Sequence, residues 1–107
     1  MCTVKYSQLV GIKKLSENIP LNFELLQNYP NPFNSNSKIR FQITKPADVK
    51  LTVYDVLGRL ITTIVNQKLL SGTYEVDFNG LDYPSGVYLY QLVSDKFIQS
   101  KCMILIK

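Results

Sequence analysis

From Lys38 onward, apolar and polar residues alternate with a period of two, the period of strands that bury one face. Ile39, Phe41 and Ile43 take one face, and Lys38, Arg40 and Gln42 take the other. A turn at Lys45-Pro46-Ala47-Asp48 leads to a second run, in which Val49, Leu51 and Val53 alternate with Lys50, Thr52 and Tyr54. Asp55-Val56-Leu57-Gly58 has Asp at the first turn position and Gly at the last. That order predicts a type I turn closed by a left-handed glycine, hence a hairpin. The third strand, Arg59 to Val65, is β-branched with imperfect alternation, and Asn66 to Gly72 is expected to connect it onward. Tyr74, Val76 and Phe78 then alternate with Thr73, Glu75 and Asp77, which predicts a strand with one wet face.

Gly86 to Val93 is apolar on both faces, which places it centrally in a sheet. Ser94-Asp95-Lys96 turns the chain into a last strand, Phe97 to Ile106. Phe23 to Gln27 alternates briefly and fits a short edge strand. Residues 1–20 are weakly patterned and read as a linker or upstream remnant, with Leu9, Val10, Ile12 and Leu15 enough for a marginal helical turn. Six or seven mainly antiparallel strands over residues 21–107 predict an all-β, immunoglobulin- or fibronectin-like β-sandwich. Asp82, Ser85, Gly86 and Tyr88 fit a tyrosine corner, in which a late-strand tyrosine hydroxyl bonds to upstream backbone.

One segment breaks the alternation. Gln27-Asn28-Tyr29-Pro30-Asn31-Pro32-Phe33-Asn34 carries two prolines, each restricting its own φ and the residue before it. Neither a helix nor a central strand accommodates it, so it is expected to be a rigid extended lead-in to the sandwich.

Composition narrows the function. At 107 residues with 46% hydrophobic and 19% charged positions, the chain suits one globular domain. The net charge of +4 is spread over scattered lysines and arginines, which argues against a nucleic-acid stripe. Histidine is absent, which removes the commonest acid–base group and any Ser/His/Asp or Cys/His arrangement. Glu75 and Asp77 share a strand face where solvated carboxylates are ordinary, and Asp77, Asn79 and Asp82 lack the dense acidity of a strong calcium loop. No glycine-rich phosphate loop occurs. These features predict a non-enzyme without metal or cofactor. Cys2 and Cys102 have no metal-site spacing, and Cys102, beside Met103 and Ile104, reads as a buried inert thiol. No run approaches the roughly 20 apolar residues of a membrane span. Met1 to Tyr6 shows no secretory h-region, so export would call for more chain upstream.

From Ile19 to Lys107 the sequence resembles the type A C-terminal sorting domain of the type IX secretion system, found in Bacteroidota and related bacteria. Four ordered stretches carry the resemblance: Phe23 to Asn34, Val53-Tyr54-Asp55-Val56-Leu57-Gly58-Arg59, Pro84 to Leu92, and Lys101-Cys102-Met103-Ile104-Leu105-Ile106-Lys107. Ser35-Asn36-Ser37 replaces the more usual Pro-Ser-Thr, and Cys102 stands where a basic or polar residue is common.

The resemblance implies a passive tag at the end of a secreted cargo. The cargo crosses the periplasm, and an outer-membrane translocon recognises the folded tag. A surface sortase then cleaves upstream and joins the cargo to an anionic lipopolysaccharide. The expected destination is extracellular or at the cell surface, with no membrane insertion. Lys101, Met103 and Lys107 become candidates for translocon contact, and Pro30, Asn31, Pro32, Phe33, Asp55, Gly58, Gly86 and Tyr88 become the residues that hold shape. Two other readings stay open. One is an assembly module like the immunoglobulin-like domain of the flagellar hook-capping protein, which has a tryptophan where this chain has Phe78-Asn79-Gly80. The other is a fibronectin-like binding module of a secreted hydrolase, for which Tyr54, Tyr83 and Tyr90 would form an aromatic platform.

Overall fold

The computed structural model describes residues 12–16 and 18–107. Eight strands form: β1 (Ile12–Ser16), β2 (Glu24–Leu25), β3 (Asn36–Ile43), β4 (Ala47–Asp55), β5 (Leu60–Leu69), β6 (Gly72–Asn79), β7 (Gly86–Ser94) and β8 (Phe97–Leu105). They make two four-stranded antiparallel sheets, ordered β1-β6-β3-β2 and β5-β4-β7-β8, an open immunoglobulin- or fibronectin-like β-sandwich. The predicted fold class holds, and the predicted edge strand and central β7 fall where the pattern put them.

The eighth strand comes from residues that read as linker. Ile12–Ser16 pairs with β6, where the helical turn was expected, while Leu9 and Val10 lie outside the described residues. Five residues carry too little periodicity to announce a strand; an unpaired sheet edge supplies what the pattern lacks. β5 also runs to Leu69, so Asn66, Gln67 and Lys68 are strand rather than connection. They face Lys50, Val49 and Asp48 of β4, and the exposed Asn66 and Lys68 read as loop because the outer face there is polar. Register shifts at Leu51/Thr52 and Val53/Tyr54 account for the imperfect alternation of β5.

The two inner faces meet in one core. Ile39, Phe41, Ile43, Tyr74, Val76 and Phe78 pack from one sheet, and Val49, Leu51, Val53, Tyr88, Tyr90, Leu92, Met103 and Leu105 from the other. Each such side chain, fully buried, contributes about 1.5–3 kcal/mol of transfer free energy. Phe41 and Tyr74 are direct cross-strand partners with rings stacked at 5.5 Å. Glu75, expected on a wet face, is buried: β6 is flanked by β1 and β3, and Arg40 Nε donates to the Glu75 carboxylate at 2.9 Å.

Candidate functional site

The Asn-Pro segment does more than lead in. It crosses from one sheet to the other and fastens to both. On the first sheet, Leu26 N–H donates to Arg40 O, and Tyr29 and Lys38 exchange backbone bonds at 2.9 and 2.8 Å. The Tyr29–Pro30 and Asn31–Pro32 peptide bonds are both cis. Beyond them, Phe33 N–H donates to Ile104 O at 2.9 Å, and Ile106 N–H donates to Phe33 O at 2.8 Å. This is a short parallel bridge to the last strand.

Side chains close the same seam. Asn31 Oδ1 accepts the Ile104 N–H at 2.9 Å, and Gln27 Nε2 donates to Cys102 O at 2.7 Å. Tyr90, fully buried on β7, accepts the Asn28 N–H at 2.8 Å and donates to Leu26 O at 2.9 Å. Asn28 Nδ2 donates to Ser37 Oγ and to Pro30 O, and Ser37 Oγ donates to Pro30 O. A segment that joins the sheets only through isolated bridges thus has its polar groups met, in the interior at Asn28 and Ser37 and at the surface at Gln27 and Asn31. The outer edge of β8, which would otherwise present unpaired backbone groups, is partly covered. Desolvation raises the Tyr90 phenol to about 12, opposed by the Asn28 N–H bond.

Phe33 is the anchor. It is buried and meets Phe78 edge-on at 5.9 Å. Gly80 makes room for it, since a Cβ there would lie 2.9 Å from Leu105 Cδ2 and 3.2 Å from Phe33 Cε2. Pro30, Asn31 and Pro32 remain exposed above it, beside Tyr29, which is 78% exposed.

The other shape-holding residues act at one end of the second sheet. The Asp55 carboxylate accepts the Leu57 and Arg59 N–H groups and the Arg59 guanidinium, all within 2.9 Å. The Arg59 N–H, first among these, holds the Asp55 carboxyl below its ordinary range. Gly58 closes the hairpin at φ +84°. The Tyr88 hydroxyl donates to Pro84 O at 2.6 Å, which is the tyrosine corner, and exposed Gly86 begins the strand. Between these two features lies a cleft of about 310 Å³, lined by Leu57, Arg59, Tyr83, Pro84 and Val87 among others.

The candidates for partner contact divide. Lys101 is half-buried on β8, opposite Tyr90. Lys107 is exposed; its N–H donates to Ser85 Oγ at 2.9 Å and its Nζ to Leu81 O at 2.6 Å. Met103 is fully buried, so the folded domain does not offer it to a partner; the strand's alternation sends Met103 and Leu105 inward. By the same parity Cys102 faces out, and the expectation of a buried thiol is corrected: it is exposed and free. Its neighbours on the outer face include Ile104, 39% exposed, with Ile106 beyond the strand at 53%.

The aromatic-platform expectation has no support from its three residues. Tyr90 is buried, Tyr54 is half-buried, and Tyr83 is half-buried with its ring stacked on Phe78 at 5.7 Å. Asp77 is bound to Lys38 Nζ at 2.9 Å, and Asn79 Oδ1 accepts the Leu81 N–H. Among the described residues no group of three or more His, Cys, Asp and Glu side chains converges.

Sequence reasoning missed the interior partners of the seam, namely Ser37, Gly80 and Tyr90. Gly80 and Ser37 look like ordinary turn and strand-end residues. Tyr90 alternates inward with Tyr88 and Leu92, so its burial was readable but its bonds to a segment 62 and 64 residues upstream were not.

No curated protein matches the chain. One similar solved structure is that of PorZ, described as an essential bacterial surface component of the type-IX secretion system of human oral-microbiomic Porphyromonas gingivalis. The two are 23% identical with a TM-score of 0.53; the match covers 80% of this chain and 12% of PorZ, and it bears on the fold. The family of secretion system C-terminal sorting domains matches residues 27–107, from the start of the Asn-Pro segment through the last strand. This chain therefore belongs to the non-catalytic C-terminal sorting domains of the type IX system, which direct a protein to secretion and the cell surface.

Proposed function

We propose that the outer-membrane translocon of this system reads the folded sandwich across the seam between the Asn-Pro segment and β8. Lys107 and, from the rim of the inward face of β8, the half-buried Lys101 supply the charged contacts, and exposed Ile104 and Ile106 supply the apolar ones. A surface sortase acts afterwards, upstream of the domain, on a cargo joined to it. One observation carries this reading. Asn31 and Ile104, 73 residues apart, are hydrogen-bonded side by side. The first and last motifs of the family therefore form a single surface only when the domain is folded. A reader of that surface distinguishes a finished tag from an unfolded chain.

The test fuses the whole chain behind a signal peptide and a reporter, in a bacterium that possesses the system. The parent fusion should reach the medium or the surface. Lys101→Gln with Lys107→Gln should hold the reporter in the periplasm, with the purified domain still folding cooperatively in thermal unfolding. Secretion of the double variant at the parental level would defeat the proposal.

A further inference from the structure

The peptide bond leading into Gly80 carries reactivity of its own. Asn79-Gly80 is the only Asn-Gly pair in the sequence. An asparagine carboxamide carbon lies within reach of the backbone nitrogen that follows it, and the two can close a succinimide ring. Glycine in second place has no Cβ to obstruct that approach.

The fold prepares one reactant and restrains the other. Asn79 ends β6 and is exposed, so water reaches it. Its Oδ1 accepts the Leu81 N–H at 2.9 Å. That bond draws electron density from the carboxamide carbon and stabilises the oxyanion formed when a nucleophile adds there. The nucleophile is held back. Gly80 is buried, and its N–H donates to Ser35 O at 2.7 Å. Asn79 is also paired with Asn36 in the β3–β6 ladder, which keeps the backbone extended at this point. A nitrogen so bonded neither sheds its proton readily nor swings toward the carboxamide. Ser35 lies two residues beyond Phe33, the side chain that Gly80 seats. The restraint on the Gly80 nitrogen thus belongs to the seam that Phe33 anchors, and loosening Phe33 frees it.

We infer that Asn79-Gly80 is a self-modification site, where the domain deamidates to isoaspartate and aspartate once the seam around Phe33 is loosened. The Gly80 nitrogen gives up its proton and bonds to Asn79 Cγ. The carboxamide nitrogen takes up a proton and leaves as ammonia. Water then opens the succinimide at either carbonyl, so water is consumed, ammonia is released and nothing is oxidised or reduced. Opening at Cγ leaves aspartate; opening at the backbone carbonyl leaves isoaspartate, with a methylene added to the main chain just before Gly80. A Cβ on Gly80 would already lie 2.9 Å from Leu105 Cδ2 and 3.2 Å from Phe33 Cε2, so a longer backbone there displaces the anchor. A transient loosening becomes a permanent one. Nothing in this chemistry depends on what reads the seam.

Peptide mapping of the purified full chain, aged in mildly alkaline buffer, measures the rate, with isoaspartate separated from aspartate by chromatography. Modification should fall at Asn79 and run about tenfold slower in the native chain than in the guanidinium-unfolded chain. Phe33→Ala should raise the native rate toward the unfolded one. Because that variant also removes a core side chain, the parent supplies a second arm: its rate should climb at guanidinium concentrations below the unfolding transition. The isolated isoaspartyl form should show faster amide exchange at Phe33, Ile104 and Ile106. Asn79→Asp, which keeps the backbone length, should not. Equal rates in the native and unfolded chains would overturn the proposal, as would a parental rate that rises only with global unfolding. Modification of other asparagines with Asn79 intact would also overturn it, and so would unchanged amide exchange in the isoaspartyl form.

Discussion

Tyr90 and Asn28 are 62 residues apart in the chain, and the Tyr90 hydroxyl accepts the Asn28 backbone N–H at 2.8 Å inside the core. The same hydroxyl donates to Leu26 O, so one phenol oxygen satisfies two backbone groups where the chain leaves β2 for the Asn-Pro segment. Tyr90→Phe leaves a buried donor and a buried acceptor without partners while keeping the ring. It should lower stability by about 2 kcal/mol. The measurement is urea unfolding, where the midpoint should fall with an unchanged slope.

Tyr90 also sets an alkaline limit. Burial raises its pKa from 10.0 to about 12, so the fold binds this proton more tightly than the unfolded chain does. The contribution is therefore complete below pH 10.0 and is lost as pH rises toward about 12. The parent should lose stability more steeply than Tyr90→Phe across that window, as followed by unfolding at several alkaline pH values.

The β4–β5 turn should respond at the other end of the scale. The Asp55 carboxyl titrates below its usual 3.8, chiefly because the Arg59 N–H donates to it. Its stabilisation is present above 3.8 and disappears as pH falls through the lower folded value. Asp55→Asn should flatten this acid limb. Gly58→Ala acts through backbone alone, since nothing lies within 4 Å of the added Cβ but φ is +84°. It should cost about 1 kcal/mol at all pH values.

Gly80→Ala tests the seat of Phe33. The new methyl would meet Leu105 Cδ2 at 2.9 Å and Phe33 Cε2 at 3.2 Å, so the anchor or the strand must shift. A loss of about 2 kcal/mol is expected, together with faster amide exchange at Phe33, Ile104 and Ile106. Unchanged exchange at those three amides would refute the role assigned to Gly80.

Ser94 offers a substitution in the favourable direction. Its hydroxyl is buried and has no hydrogen-bond partner among the described residues. Ser94→Ala should raise stability by about 1 kcal/mol, because an unsatisfied hydroxyl costs more buried than a methyl does. Thermal unfolding of the single variant decides the sign.

Most of the sandwich was legible because burial on one face imposes a period of two. Ile39, Phe41 and Ile43, then Val49, Leu51 and Val53, then Tyr74, Val76 and Phe78, all face inward as their spacing predicts. The turn glycine Gly58 and the corner tyrosine Tyr88 were readable too, since each answers a local geometric demand. Three kinds of feature escaped. β1 depends on a vacant edge, which is a property of β6 rather than of Ile12–Ser16. Cys102 was assigned by chemical type and Met103 from the resemblance, whereas strand parity decides which of two neighbours points in. The seam depends on contacts such as Gln27 with Cys102 and Asn31 with Ile104, and local pattern carries no information about partners that far away.

Because Asn31 and Phe33 find their mates at Ile104 and Ile106, an early part of the sandwich stays unlatched until a late one has been made. A polypeptide cut short before Ile104 would have every earlier strand and still lack the clasp. The clasp therefore certifies its own completion, and a defective product betrays itself by an open seam.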